Sequence, residues 1–137
     1  MGKYIKHIKT EEFMKAEALI YNLKDNERSK KIKRYLNRTG INIRQVQAPD
    51  FLQPLGFLFE IPGFSRNTRF NLGGNFTEEM LVMKDFTDKQ MNDFFQFFRT
   101  NDLEPISLKA VLTPVNQYWD SLKLHQELLE EHRAFQK

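Results

Sequence analysis

Two kinds of apolar spacing alternate along the chain. Short unbroken runs give way to stretches in which apolar residues recur every three or four positions. Ala18-Leu19-Ile20-Tyr21-Asn22-Leu23 is the first run and predicts a buried strand. Asp25 or Asn26 then caps a helix reaching about Arg38, and Gly40 stands where a helix ends on a left-handed residue. Ile41, Ile43 and Val46 predict a second strand, which Ala48-Pro49-Asp50 terminates. Pro54 suits the first turn of a short apolar helix through Leu55, Leu58 and Phe59. Residues 62–77 carry two turn signals and no period, and predict a connector.

The same order then returns. Met80-Leu81-Val82-Met83 predicts a strand, and Thr87-x-x-Gln90 is a capping box. Met91, Phe94, Phe95 and Phe98 fall on one helical face, and Asn101-Asp102 ends that helix. Leu108 to Leu112 predicts the fourth strand. A last helix, capped by Asp120, carries Leu124, Leu128 and Phe135 along one edge with Leu122 and Leu129 beside them. Local matches support two related halves: Glu17-Ala18-Leu19-Ile20 with Glu79-Met80-Leu81-Val82, Gly40-Ile41 with Asp102-Leu103, and Gln53-Pro54-Leu55 with Thr113-Pro114-Val115. A spacing of about 60 residues reads as a duplication rather than a solenoid. The predicted class is α/β: two βαβ-α halves forming a roughly four-stranded, mainly parallel sheet packed by helices. Residues 1–15 are a tail, 16–61 the first half, 62–77 the connector and 78–137 the second half, all in one compact domain.

Composition sharpens this in three ways. A chain of 137 residues suits one domain with a core of its own, and its 13 Phe fit a phenylalanine-rich interior. No Cys is present, which excludes disulfides, thiolate zinc sites and a cysteine nucleophile. The N-terminal stretch lacks the apolar core of a secretory signal, and no run approaches a membrane span, so a cytoplasmic location without membrane contact is expected. Charge is uneven. Residues 1–70 sum to +7 and residues 71–137 to −4, which favours an acidic partner for the first half or head-to-tail self-association.

The string Leu108-Lys109-Ala110-Val111-Leu112-Thr113-Pro114-x-Asn116-x-x-Trp119, followed by Glu127-Leu128, resembles the bacterial domain of unknown function 3783 family. The resemblance covers about residues 80–132, and Gly40-Ile41, Gln53 and Gly56 look like the region upstream of it in such proteins. Asp120-Ser121 departs from the Thr or Ser expected directly after the Trp, and Asp caps a helix as well. The resemblance implies an intracellular bacterial protein and a common fold for the segment. It implies no activity, because the family is uncharacterised.

Lys109, Thr113, Asn116 and Trp119 form the best ligand or partner site. Strand alternation places Lys109, Val111 and Thr113 on one face, and Thr113 and Asn116 stand near a helix start, where anions are attracted. The competing structural reading has Asn116 satisfying backbone, Trp119 plugging the core and Lys109 laying its stem along the sheet. Gln53 and Gly56 mark the equivalent corner of the first half, facing the other across a pseudo-twofold. Gly56 admits the close approach of a helix or ligand.

The second candidate surface is the basic helix with Arg28, Lys30, Lys31, Lys33, Arg34 and Arg38, to which the connector adds Phe64, Arg66, Arg69 and Phe70. Cations interleaved with aromatics suit a single-stranded nucleic acid, although no RNA-binding signature accompanies them. A solvated helix face explains the same charges. His7 lies in the tail, and His125 and His132 stand about 10.5 Å apart along a helix, too far to share a metal. Glu127, Glu130 and Glu131 read as a solvated acidic face, and Gly73-Gly74 as a hinge. No cofactor, metal or catalytic set is expected. The leading expectation is a non-catalytic binding or regulatory module acting through protein-protein or self-association. Single-stranded nucleic-acid binding and an enzyme or sensor for a small anionic ligand are the alternatives.

Overall fold

Two of the apolar runs lie side by side at the centre of one sheet. The computed structural model describes residues 15–135, so His7 and nearly all of the expected tail lie outside the described residues. Strands β1 (Glu17–Tyr21), β2 (Asn42–Val46), β3 (Met80–Lys84) and β4 (Leu108–Val111) are ordered β2-β1-β3-β4. Helices α1 (Glu27–Arg38), α2 (Leu55–Leu58), α3 (Asp88–Thr100) and α4 (Ser121–Phe135) pack on both faces. The pairs β1–β2 and β3–β4 are parallel, while β1 and β3 run antiparallel with Leu19 opposite Val82 at the middle of the pairing. The protein is therefore α/β with a four-stranded mixed, mostly parallel sheet. Each parallel pair is closed through a helix, α1 or α3, as parallel strands require.

Period-two alternation assigns the core residues. Ala18 and Ile20 of β1, with Leu81 and Met83 of β3, meet Ile32 and Leu36 of α1 and Phe94 and Phe98 of α3. Leu19 and Tyr21, with Met80 and Val82, face the other way onto Phe51, Leu55, Leu58 and Leu124. Because both faces are covered, the central strands read as unbroken apolar runs. The outer strands are less apolar and less buried, as edges are.

The helix ends follow the sequence closely. Asn26 Oδ1 accepts from Ser29 N at 2.9 Å, and Thr87 with Gln90 closes both bonds of the capping box. Asp120 Oδ1 accepts from Lys123 N at 2.8 Å at the start of α4. Gly40 takes φ +80°, the left-handed conformation expected after α1.

Two expectations need correction. Phe135 continues no buried edge: α4 runs past the sheet and leaves that ring 91% exposed. The fourth strand stops at Val111, one residue early, because Asn116 Nδ2 binds Val111 O at 3.1 Å and turns the chain. The Gly73-Gly74 segment does adopt positive φ, but it lies between two anchors: Asn71 Nδ2 donates to Ala48 O at 2.7 Å, and Phe76 is buried against Phe51 and Tyr21.

Tyr21 and Ser121 tie β1 to α4 through a fully buried hydroxyl pair at 2.7 Å. Burial pushes the Tyr21 phenol well above its ordinary value, so it stays neutral and keeps the bond. Tyr21→Phe strands the Ser121 hydroxyl and should cost about 1–3 kcal/mol in urea unfolding. Adding Ser121→Ala should recover part of that loss, and an additive double variant would show that the pair is not coupled.

Candidate functional site

The two corners singled out in the sequence do meet. Pro54 and Asp120 form an isolated antiparallel bridge, Leu55 N donates to Trp119 O at 2.9 Å, and Ser121 N donates to Phe51 O at 3.0 Å. The polar groups there are engaged with each other. Thr113 N donates to Asn116 Oδ1 at 2.8 Å and Asn116 N to Thr113 Oγ1 at 3.0 Å, so the pair closes a reciprocal turn. With its Nδ2 on Val111 O, the side chain of buried Asn116 is satisfied at both ends. Trp119 is half-buried against the α4 side of the core, with the Lys123 ammonium 4.8 Å from its ring centroid.

The first-half corner is equally occupied. Gln53, 2% exposed, clamps the connector by accepting from Asn67 N at 2.8 Å and donating to Asn67 O at 3.3 Å. Gly56 does permit a close approach, but by the Phe64 ring. A Cβ at that position would stand 2.6 Å from Phe64 carbons. Phe64 in turn leans on Tyr118, with ring centroids 5.1 Å apart. The geometry thus gives Gln53, Gly56, Thr113, Asn116 and Trp119 structural work, as a latch joining the two halves and the connector.

Lys109 lines an open cleft of about 410 Å³ together with Thr113, Asn116 and Trp119, so the four residues do come together at the β4 edge. The Lys109 ammonium donates to Ile106 O at 2.8 Å and lies 5.3 Å from the Phe95 centroid, on the α3 side of the sheet. Desolvation holds this ammonium below the ordinary lysine value. It belongs to a separate apolar slot of about 230 Å³ between α3 and the start of β4.

The basic helix divides as well. Arg28 is not a solvent-facing cation. Its guanidinium makes a two-pronged bond to Glu79 at 2.7 and 2.9 Å and donates to Glu104 O. Lys30 reaches Glu27 at 3.5 Å. Lys31, Lys33, Arg34 and Arg38 meet no carboxylate within 4 Å among the described residues. Lys31, Arg34 and Arg38 line a cleft of about 230 Å³ against Phe97 of α3 and Asn101 at its C-terminal cap, with Tyr35 at its base. Tyr35 is stacked on Phe97 at 4.4 Å and on Phe94 at 5.5 Å, and Arg38 covers it at 5.7 Å.

The connector contributes little to that surface. Arg66 binds Asp50 at 3.0 Å, Arg69 lies 3.6 Å from Asp120, and Phe64 is packed on Gly56. Phe70 alone of the four stands clear, 82% exposed. The sequence missed one arrangement, His125 stacked on Phe76 at 4.0 Å with its Nε2 3.0 Å from Glu78. Nothing local signals it, since 47 residues separate His125 from Glu78. Among the described residues, no cluster of three or more His, Asp or Glu is placed to hold a metal, and no helix is long and apolar enough to cross a membrane.

The segment from Glu79 to Phe135 spans all of β3, α3, β4 and α4. Residues 79–135 match the family model of a domain of unknown function, DUF3783. No curated protein and no solved structure matches the chain. The DUF3783 segment contains the Thr113–Trp119 corner and the Lys109 slot, whereas the cations of α1 lie outside it.

Two outcomes are expected here. Asn116→Ala removes two side-chain bonds from a buried turn and should lower stability by about 1–3 kcal/mol in urea unfolding. An unchanged midpoint would mean that the corner is not structural. For Lys109, the folded chain holds its proton less tightly than the unfolded chain does. The resulting penalty is present at neutral pH and is relieved as pH rises through the lowered folded value. Compared with Lys109→Met, the wild-type chain should gain relative stability between neutral pH and the ordinary lysine value of 10.5. A stability difference that stays flat across that range contradicts the desolvation.

Proposed function

We propose that the chain is a non-catalytic binding module that engages an acidic partner protein through the outer face of α1 and its cleft with α3. One observation carries this reading. Of the six arginines in residues 1–70, Arg28, Arg44, Arg66 and Arg69 each meet a carboxylate within the fold. Among the described residues Arg34 and Arg38 meet none, and they line one cleft with Lys31, which meets none either. Cations held on a helix without counter-ions among the described residues favour a partner that supplies carboxylates, and they steer its approach.

The same geometry weakens the single-stranded nucleic-acid reading. That mode needs open aromatic faces for stacked bases. Tyr35 is covered by Phe97, Phe94 and Arg38 and Phe64 by Gly56 and Tyr118, which leaves Phe70 as the one open ring of that set. Strand addition at the sheet edges is also disfavoured. Each edge carries an inward-pointing cation: Arg44 on β2, bonded to Leu58 O, and Lys109 on β4, bonded to Ile106 O. We place the module in the cytoplasm, in keeping with an N-terminal stretch unlike a secretory signal and with no helix long and apolar enough to cross a membrane among the described residues.

Fluorescence anisotropy with a labelled glutamate-rich peptide tests the reading. The full chain should bind it with an affinity that falls as salt is raised. Lys31→Glu, Arg34→Glu and Arg38→Glu together should weaken binding at least tenfold, about 1.4 kcal/mol, with an unchanged thermal midpoint. Equal binding by the triple variant would sink the proposal. A single-stranded oligonucleotide that binds tenfold tighter than the peptide would transfer the surface to nucleic acid. If sedimentation showed reversible mass growth abolished by Glu130→Lys and Glu131→Lys, the acidic partner would be a second copy.

A further inference from the structure

We infer that the slot beneath α3 is a binding site for a small monocarboxylate with a flat apolar body. The slot is independent of the α1 surface and lies wholly inside the DUF3783 segment. Its walls are Phe95 and Phe98 on one side and Leu103, Pro105 and Ile106 on the other, with Leu81 of the sheet at the floor. No carboxylate lines it. Two cations do: Lys109 from β4 and Arg99 from the last turn of α3.

Size fixes the body of the ligand. A volume of about 230 Å³ is below the several hundred cubic ångströms of pockets that take drug-sized molecules. It admits a single ring or a short chain and no peptide backbone beside it. Ring walls at Phe95 and Phe98 favour a flat guest that stacks offset or edge-on.

The cations fix the charge. Lys109 has three donor hydrogens, and the fold engages it through one carbonyl, Ile106 O, and the face of one ring. An ammonium that is half-buried among apolar side chains without a carboxylate gains from an anion brought to it, because the exchange restores what desolvation removed. Arg99 is oriented by Gln96, whose Oε1 accepts from Nε and Nη2 at 3.3 and 3.0 Å, which leaves Nη1 open at the rim. One inner cation and one rim cation match a single carboxylate, whose two oxygens accept from both. A phosphate dianion would bring more charge and more acceptors into an apolar slot than these two groups satisfy.

The probes are benzoate and its neutral isostere benzamide, titrated into the full-length chain and followed by amide chemical shifts. Benzoate should shift the amides of Phe95, Leu103 and Ala110 saturably, with Kd on the order of 1 mM for so few atoms. Benzamide should bind at least tenfold more weakly. Lys109→Met should abolish that preference, and Arg99→Gln should reduce it severalfold. The comparison of the two probes on the unaltered protein stands even if a variant fails to fold. Absence of saturable shifts at these amides, or equal affinity for benzoate and benzamide, overturns the assignment. Loss of the Arg34 and Arg38 charges should leave benzoate binding unchanged, so this result and that for the α1 surface stand or fall separately.

Discussion

The antiparallel pairing of β1 with β3 is the constraint on which everything else rests. These are the only strands of the sheet apolar on both faces, and each belongs to a different half of the chain. Pairing them satisfies the backbone of both and brings Ile20 beside Leu81 and Leu19 beside Val82. Both core clusters then become continuous across the junction. Burial of such side chains contributes about 1.5–3 kcal/mol each, so the interface between the halves is itself the core. The corner latch at Pro54 and Asp120 repeats the junction on the α4 side, and Arg28 to Glu79 repeats it at the rim.

This arrangement explains where chemistry is available and where it is not. The corners at the strand ends are the usual ligand positions of an open parallel sheet. In this chain the two corners close on each other, so Thr113, Asn116 and Gln53 bond to backbone of the fold. Besides the cleft at the β4 edge, two places on the α1–α3 side hold groups not used in that closure. The cleft facing α1 is cationic and shallow, and the slot facing β4 is apolar with one inner cation. Ionic attraction at the first and burial at the second are different physical terms, so salt would act on the first and leave the second nearly unchanged.

Much of the fold was legible in the sequence because its determinants are local. The Asn26, Thr87-Gln90 and Asp120 caps, the left-handed Gly40 and the two apolar runs each act within a few residues, and each lies where the pattern placed it. The order of the strands was not legible, since the β1–β3 register joins residues about sixty positions apart through side-chain fit. Lys109 was legible in part: it lines a cleft with Thr113, Asn116 and Trp119, but its ammonium turns to Ile106 O and the Phe95 ring. Alternation holds only while the strand continues, and Asn116 ends it at Val111. Arg28 looked like its neighbours on α1, and only the fold brings Glu79 to it. Phe135 kept the helical spacing of Leu124 and Leu128, but no sheet lies beneath the last turns of α4.

The antiparallel pairing centred on Leu19 and Val82 also shields the inner edge of β3. Remove the first half, and β3 retains its apolar faces but loses the neighbour that shields one row of its amides and carbonyls. A molecule shortened to residues 79–135 would therefore present that bare β3 edge to solvent, whereas the 137-residue chain covers it with β1.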